Sequence, residues 1–254
     1  MHLHIDADYL AYTIGFACEN KETKEVEPLA NVLSTVRSSI NTILAAAPKV
    51  DGEKPSPFTL YLTGQNNFRN VLYPEYKANR VKDKPQLYHI IRTYLEEHWG
   101  AVVVEGMEAD DAVSIALHKD KEAVCVSMDK DLQTVAGWHM NPRKLEEGLV
   151  FVSEDEADAS FWMQMLTGDT TDNIPGVVEL PLHVREKWAC GKRKGVGVKT
   201  AEKILLTAYT PAERYARVRE AYSDDSRLLL NGRLLHMTRE LNEDGSPKLW
   251  ELPA

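Results

Sequence analysis

The chain has 254 residues, of which 43% are hydrophobic, and a formal net charge of −9 at pH 7. This length predicts one large α/β domain, or one domain with a small appendage, and the composition supplies enough apolar side chains for a core. No apolar run of about 18 residues is present, and the first residues lack the regions of a signal peptide, so we expect neither a membrane span nor secretion. The three cysteines are widely spaced, which predicts a reduced, cytoplasmic protein.

Apolar runs and helical periodicity alternate along the first two thirds of the chain. The sequence predicts strands at 3–6, 58–62, 101–105, 122–127 and 149–152, and helices at 8–18, 28–47, 85–99, 108–119, 131 onward and 155–166. This alternation predicts an α/β fold with a mostly parallel central sheet and helices on both faces. Beyond about 167 we expect helices joined by turns and no strand. We therefore predict two domains, an α/β core at 1–167 and a helical region at 168–254 with a loosely attached tail after 242.

Acidic residues follow the predicted strands and recur after the helix at 155–166. They are Asp6 and Asp8; Glu108, Asp110 and Asp111; Asp129 and Asp131; and Asp169 and Asp172. Loops at the carboxyl ends of parallel strands converge on one crevice. Carboxylates crowded there would repel one another unless hard cations held them together. The pattern predicts magnesium and phosphodiester chemistry, because two such ions can activate a water and stabilise a leaving oxygen.

Two basic segments interrupt this acidic chain. Residues 64–84 carry five basic and two acidic side chains, and residues 183–203 carry seven basic and two acidic ones. The net charge argues against attraction of the whole surface to nucleic acid, but local basic segments favour contact with phosphates. Solvated charged loops are the alternative for each segment.

Five motifs occur in a fixed order along the chain. They are Tyr76-Lys77-Ala78-Asn79-Arg80, Glu108-Ala109-Asp110-Asp111, Asp129-Lys130-Asp131, the segment 168–177 (GDTTDNIPGV) and the segment 195–201 (GVGVKTA). Glycines in the last segment allow a tight turn whose N–H groups can face a phosphate at a helix N-terminus. Together the motifs resemble the 5′–3′ exonuclease / flap endonuclease family, and its bacteriophage replication exonucleases in particular. The resemblance extends from Asp6 to about Leu206.

The resemblance implies a PIN-like 5′ nuclease fold, a basic arch at about 64–95 and a helix–two-turn–helix element around 195–201. It implies that Asp6, Glu108 and Asp110 hold a first Mg²⁺, that Asp129 lies between two ions, that Asp131, Asp169 and Asp172 serve the second ion, and that Asp111 supports them from the outer shell. Lys77 and Arg80, three residues apart and expected on one helical face, would grip the scissile phosphate. The DNA-binding set is Arg69, Lys77, Arg80, Gly195, Gly197, Lys199, Thr200 and Lys203.

The resemblance also implies cofactors and partners. Mn²⁺ would substitute for Mg²⁺, and K⁺ would bind at the helix–two-turn–helix element. The substrate would be DNA with 5′ ends, flaps, nicks or gaps during DNA replication, and RNA primers paired to DNA. We expect a monomer.

Two departures from the family pattern stand out. The family has a further Asp just after its second strand, but the corresponding segment here, 62–69 (LTGQNNFR), contains no acid. Asp8 or a water could replace that ligand; we favour water, because Asp8 fits the N-cap of the following helix. The second departure is a basic insertion at 178–194 that contains Trp188. Contact with DNA and a longer turn remain equal explanations for it.

Three other functions compete with the nuclease interpretation. In a haloacid-dehalogenase-type phosphatase, Asp6 of the Asp6-Ala7-Asp8 segment would be the nucleophile. That hypothesis leaves Glu108-Ala109-Asp110-Asp111 and the glycine segment at 195–201 unexplained. A DNA-binding protein that has lost its chemistry is supported only by the missing acid near Gly64. A toxin-like ribonuclease of the PIN fold would normally be shorter and lack the helical hairpin.

Overall fold

The computed structural model describes residues 1–49, 54–80, 83–190 and 194–253. The chain forms two compact units. The sheet unit comprises Met1–Asn67, Lys82–Leu132 and Gly137–Val152, and the helical unit comprises Phe68–Val81, Gln133–Ala136 and Ser153–Ala254. The division therefore falls after Val152 and not at 167, and part of the basic segment at 64–84 belongs to the helical unit.

Six strands form the sheet in the order β3-β2-β1-β4-β5-β6. Their bounds are β1 Leu3–Asp6, β2 Phe58–Thr63, β3 Val102–Val104, β4 Val124–Val126, β5 Gly137–Met140 and β6 Val150–Val152. The first five are parallel, and β6 is antiparallel to β5. The predicted mostly parallel sheet is confirmed, although β5 was not predicted.

The helices of the sheet unit are α1 Asp8–Ala17, α2 Leu29–Ala46, α4 Tyr88–Trp99 and α5 Ala109–Lys119. In α2 the side chains of Val32, Val36 and Ile40 recur every four residues and are fully buried. That spacing is one apolar stripe of a helix, and it joins the core under the sheet. Helix α4 ends where Gly100 adopts a left-handed conformation with φ of 66°, which closes the helix at the predicted residue.

The helical unit contains α3 Phe68–Leu72, α6 Glu154–Thr167, α7 Leu182–Lys187, α8 Val198–Leu205, α9 Pro211–Tyr222 and α10 Asp225–Leu235. It also contains a small antiparallel pair, β7 Gly168–Asp169 and β8 Ile174–Pro175, so the expectation of no strand here was wrong. The expectation of a loose tail was also wrong. Trp250 packs on Gly232 and against the ring of Phe161, and Arg233 donates to its carbonyl oxygen at 3.2 Å.

Two glycines allow β7 and β8 to approach closely. Gly168 has φ of 71°, and a Cβ atom there would lie 2.2 Å from the amide nitrogen of Gly176. A Cβ at Gly176 would lie 2.3 Å from the carbonyl oxygen of Leu166. No other residue fits at these positions, so both glycines fix the turn that carries Asp169 and Asp172.

Within the described parts of the chain, every helix is too short or too polar to cross a membrane.

Candidate active site

The order of the strands places the acidic residues at a defined edge of the sheet. The chain runs from β1 to β2 and β3 on one side, and β4 then pairs with the other side of β1. In open α/β sheets, ligands bind outside the carboxyl ends of the strands at such a reversal. Asp6 ends β1, and Ser127 and Asp129 follow β4; the Ser127 hydroxyl donates to Asp6 Oδ2 at 3.3 Å. The two strand ends are thus joined at the point where a site is expected.

Carboxylates from three elements lie close together at this edge. Burial, followed by the charges of Asp8 and Asp129, raises the pKa of Asp6 to about 7. Burial also raises the pKa of the Cys125 thiol well above its usual value, and the charges of Asp110, Asp6 and Asp129 raise it further. The charges of three acids therefore act on one buried thiol of β4. The acids are Asp6 of β1, Asp110 of α5 and Asp129 of the loop after β4.

The N-terminus of α5 supplies the remaining acids of this cluster. Glu108 is the N-cap, and the Asp111 carboxylate accepts from its backbone N–H at 3.1 Å in a capping box. Asp111 is fully buried, and Asp110 lies in the first turn beside it. The positive end of the helix dipole favours acids in this turn. Asp111 therefore has a structural role that holds the Glu108–Asp110 segment in place.

The loop after β4 folds on its own side chains. The Ser127 hydroxyl accepts from Asp129 N at 3.0 Å, and Asp129 Oδ1 accepts from Asp131 N at 2.8 Å. Asp131 lies in the first turn of a short 3₁₀ helix, Lys130–Thr134, as the sequence predicted for a short helix there. Asp129 itself is exposed to solvent.

The donor set of this edge suits a hard divalent cation, because carboxylate oxygens are the ligands that such ions prefer. Burial is the main cause of the raised pKa of Asp6, and the charges of Asp8 and Asp129 raise this pKa further; a bound cation would favour the ionised carboxylate. Among the described residues, no group of three His, Cys, Asp or Glu side chains is arranged so that it could hold a metal ion. The acids at the strand reversal have the chemistry that a divalent cation prefers and lie in one region of the sheet edge. Binding a cation requires their side chains to move.

Asp8 is not the N-cap of α1, which corrects the sequence interpretation. Ala7 is the N-cap, and Asp8 is the first residue of the helix. Its Oδ2 atom accepts from Thr63 N at 3.0 Å, and its Oδ1 atom accepts from Arg92 Nη1 at 2.9 Å. Burial raises the pKa of Asp8, whereas Thr63 and Arg92 lower it. Arg92 was not predicted from the sequence, because the 84 residues that separate it from Asp8 leave no local signal.

Asp169 and Asp172 lie together in the helical unit. Asp169 Oδ1 accepts from the backbone N–H groups of Thr171 and Asp172 at 2.6 and 3.1 Å. Asp172 Oδ2 accepts from the Tyr76 hydroxyl at 2.9 Å. Both acids are buried, so the turn between β7 and β8 holds two fixed carboxylates.

Lys77 and Arg80 contact the same turn. Lys77 Nζ lies 3.6 Å from Asp172 Oδ2, and Arg80 forms an ion pair with Asp172 Oδ1. Asn79 Nδ2 donates to Thr170 O at 2.7 Å. These residues form turns, and Lys77 has φ of 56°, so the expected shared helical face is wrong. The side chains of Lys77 and Arg80 instead converge on the Asp172 carboxylate from a hydrogen-bonded turn.

Arg69 is not a surface cation. It is 1% exposed, and its Nε and Nη2 atoms donate to the carbonyl oxygens of Leu234 and His236 at 2.8 and 3.3 Å. The expected role of Arg69 in DNA binding therefore does not fit its burial. Its side chain instead joins α3 to the end of α10 within the helical unit.

We expect Arg69→Met to destabilise the protein by roughly 2–4 kcal/mol, because the carbonyl groups of Leu234 and His236 lose buried, charge-assisted partners. Chemical denaturation followed by circular dichroism measures this loss. Arg239→Met, in the same unit, is the matched control. A DNA affinity whose salt dependence falls in Arg69→Met, with stability unchanged, would restore the DNA-binding interpretation.

The glycine segment at 195–201 leads into α8. Gly197 is the N-cap of this helix in an extended conformation, and a Cβ atom there would meet open space. The amide of Val196 between the two glycines donates to Val177 O at 3.1 Å, and the Thr200 amide donates to Gly197 O at 2.9 Å. Lys199 is exposed, and Lys203 Nζ donates to Ala189 O at 3.2 Å. Helix α7 ends at Lys187, before this segment, and α8 begins within it at Val198.

The insertion at 178–194 is described in part. It contains α7, and the Arg217 guanidinium lies 4.5 Å from the centre of the Trp188 ring. Trp188 also packs against the core of the helical unit, which favours a structural role for it. Lys192 and Arg193, and Lys82 of the other basic segment, lie outside the described residues.

The pKa of Asp6 predicts how stability depends on pH. Between about pH 4 and pH 7 the folded protein retains a proton on Asp6 that the unfolded chain has lost. The free energy of unfolding without metal should therefore fall as the pH rises through this window, by a few kcal/mol at most. Denaturant titrations in EDTA at about pH 5.5 and 8 test this. Asp6→Asn should flatten the dependence and Asp83→Asn should not; an equal slope in Asp6→Asn would contradict the assignment.

A mostly parallel sheet with carboxylates at its strand reversal defines an α/β protein with an acidic candidate site, and the second unit carries α8, which begins in the glycine segment. Residues 1–158 match the family described as "5'-3' exonuclease, N-terminal resolvase-like domain". The chain belongs to this family, and membership sets aside the phosphatase hypothesis.

Proteins with similar sequences agree with this family assignment. The chain is 29% identical over 221 residues to a thermostable DNA polymerase I of Thermus thermophilus, covering 80% of the chain and 23% of the polymerase. It is 24% identical over 198 residues to a 5'-3' exonuclease of Buchnera aphidicola subsp. Schizaphis graminum, covering 69% of the chain and 65% of that protein. The chain thus spans about a quarter of the length of the matched polymerases.

Solved structures share the fold. The bacteriophage T5 D15 protein co-crystallized with metal ions superposes with a TM-score of 0.53 at 16% identity, over 91% of this chain and 86% of that one. A T5 D15 flap endonuclease in a complex with DNA and metal ions gives a TM-score of 0.51 at 16% identity, over 91% of this chain and 86% of that one. These likenesses confirm the predicted PIN-like 5′ nuclease fold.

Proposed function

We propose that this protein is a divalent-cation-dependent 5′–3′ exonuclease and 5′-flap endonuclease that hydrolyses phosphodiester bonds in DNA. The observation that carries the proposal is the convergence of Asp6, Asp110 and Asp129 near one buried thiol at the strand reversal. The family of the chain and the metal-bound state of its T5 neighbours support it.

Asp6, Glu108 and Asp110 would hold the first cation, with Asp129 next to it, and Asp131, Asp169 and Asp172 would serve a second. Mg²⁺ is the expected ion, Mn²⁺ its substitute, and when bound they would supply an activated water and charge stabilisation at the leaving oxygen. The residues of the chain fix these acids: Ser127 orients Asp6, and Asp111 caps the helix that presents Asp110. We place K⁺ at the 195–201 segment.

Lys77 and Arg80 would bind the phosphate that is cut. In the structure both contact the Asp172 carboxylate, so a DNA phosphate would compete with Asp172 for the two cations. A positive charge at the phosphate stabilises the negative charge of the transition state. Asn79 and the Tyr76 hydroxyl hold the turn that carries both side chains.

We further propose that the protein is a cytoplasmic monomer that acts on 5′ ends, flaps, nicks and gaps in DNA replication, as in bacteriophages, and on RNA primers paired to DNA. A 5′-flapped duplex labelled on the flap tests the main claim directly. We expect cleavage near the flap junction with Mg²⁺ and none with EDTA. Hydrolysis of p-nitrophenyl phosphate without cleavage of the flap would contradict the proposal.

The exposed lysines of α8 should contribute mainly to DNA binding. We expect Lys199→Ala and Lys203→Ala each to weaken duplex binding and to reduce the salt dependence of log K by about 1, because each removes a phosphate contact. Fluorescence anisotropy over a range of KCl concentrations measures the slope. Lys248→Ala, on the tail of the same unit, is the control. An unchanged slope in both α8 variants would exclude this helix from the DNA interface.

A further inference from the structure

The end of β2, where the family's acid is missing, is occupied by a charged pair. Asp8 Oδ2 accepts from Thr63 N at 3.0 Å, and Arg92 Nη2 donates to Thr63 O at 2.8 Å. Arg92 Nη1 closes the ring by donating to Asp8 Oδ1 at 2.9 Å. The carboxylate and the guanidinium thus bracket the last residue of the strand, and both Asp8 oxygens have donors.

The same residue reaches the acids of α5. Thr63 Oγ1 accepts from Ala109 N at 2.9 Å, and Ala109 lies between Glu108 and Asp110. On the other side, Asp8 N donates to Asp6 Oδ1 at 3.1 Å. A continuous set of hydrogen bonds therefore runs from Asp6 through Asp8 and Thr63 to the first turn of α5. It fixes the distance between two groups of acids that the proposed cation site needs.

The charge of Arg92 matters as much as its geometry. Its side chain is 14% exposed and that of Asp8 is 24% exposed, so the pair is shielded from solvent. The charge of Asp8 raises the pKa of Asp6, and the charge of Glu108 raises the pKa of Asp8. In such a place, removing one partner of an ion pair leaves an uncompensated charge with a large effect.

We propose that Asp8 and Arg92 are a positioning pair of the cation site, and that Asp8 is not a cation ligand. Arg92 neutralises Asp8 and occupies its Oδ1 atom, and the Thr63 amide occupies Oδ2, so neither oxygen is left to bind a cation. The hydrogen bonds of the pair hold Asp6 and the α5 acids in register. The inference rests on the proposed function, because it assigns roles within that site.

A double-mutant cycle with Mn²⁺ alone as the probe separates the two roles of Asp8. Electron paramagnetic resonance of the full chain gives the Mn²⁺ affinity of wild type, Asp8→Asn, Arg92→Gln and the double variant. We expect Asp8→Asn to weaken binding about tenfold, because the unpaired Arg92 charge then repels the ion. Arg92→Gln should not weaken binding more than about threefold. The double variant should return to within about threefold of wild type, because the two amide side chains can keep the hydrogen bonds to Thr63 and leave no unpaired charge.

The opposite pattern would overturn the proposal. If Asp8 is a ligand, the double variant binds Mn²⁺ as weakly as Asp8→Asn does. An Asp8→Asn affinity equal to that of wild type would also overturn it. Asp120→Asn and Arg37→Gln, in the same unit, are the matched controls and should leave the affinity unchanged.

Two further readings keep the test decisive. Circular dichroism checks folding; if Asp8→Asn does not fold, a Mn²⁺-bound crystal structure of the wild type decides. There we expect Asp8 to stay bonded to Arg92, and an Asp8 oxygen on the ion would refute the pair. If the wild type binds no Mn²⁺, the proposed cation site itself is refuted. If the wild type binds Mn²⁺ but the double variant does not recover its affinity, only the role of the Asp8–Arg92 pair is refuted.

Discussion

Replacing Asp110 by Asn is expected to lower the rate of DNA cleavage by about 10³-fold, because the change removes a charged donor from the centre of the acidic cluster. The side chains are nearly equal in volume, so the helix that carries Asp110 should keep its capping box. Single-turnover cleavage of a labelled 5′-flap substrate in saturating Mg²⁺ measures the rate, and filter binding in Ca²⁺ shows whether DNA still binds.

Asp120→Asn is the matched control for this prediction. Asp120 ends the same helix α5 at its other terminus and accepts only from Glu122 N among the hydrogen bonds described for its side chain. We expect its cleavage rate to stay within about twofold of wild type, as for other surface substitutions. Equal cleavage rates for Asp110→Asn and the wild type would show that Asp110 takes no part in the chemistry, whereas DNA binding without cleavage by the wild type would favour the DNA-binding protein that has lost its activity.

Lys77→Ala is the second change with a large expected effect. We expect cleavage on saturating DNA to slow by about 100-fold, because the ammonium group adds positive charge where the transition state accumulates negative charge. The dissociation constant for DNA should change less than about threefold, since one phosphate contact among many contributes little to binding. Single-turnover kinetics and anisotropy on the same substrate separate the two quantities.

The control for Lys77→Ala is Lys84→Ala in the same basic segment of the sequence. Lys84 Nζ lies over the ring of Tyr88 at 4.4 Å and not beside an acid of the proposed site. Its removal should leave the cleavage rate nearly unchanged. If Lys77→Ala cleaves saturating DNA as fast as the wild type, Lys77 does not act on the phosphate.

Much of the site was predictable because parallel strands end at one edge of a sheet. The acids after β1 and β4 and at the start of α5 could be assigned to one neighbourhood from their positions alone, and in the structure the charges of Asp6, Asp110 and Asp129 all act on the Cys125 thiol. Strand β5 was missed because Gly137-Trp138-His139-Met140 is short and lacks an apolar run. These four residues form a strand because they pair with β4, and no local sequence pattern predicts that pairing.

Roles that depend on distant partners were not predictable. Arg69 resembled its exposed basic neighbours in the sequence, yet its acceptors lie 165 and 167 residues away. Asp8 resembled a helix cap, but Arg92 and Thr63 determine what its carboxylate does. A charged side chain is usually solvated, and only the packing of remote segments reveals the buried exceptions.

Anomalous scattering from a crystal grown with Mn²⁺ tests the central claim most directly, because it shows the ion and its ligands together. We predict a manganese peak about 2–2.3 Å from carboxylate oxygens of Asp6, Glu108 or Asp110 at the strand reversal. A well-ordered crystal in saturating Mn²⁺ with no peak near these three side chains would contradict it.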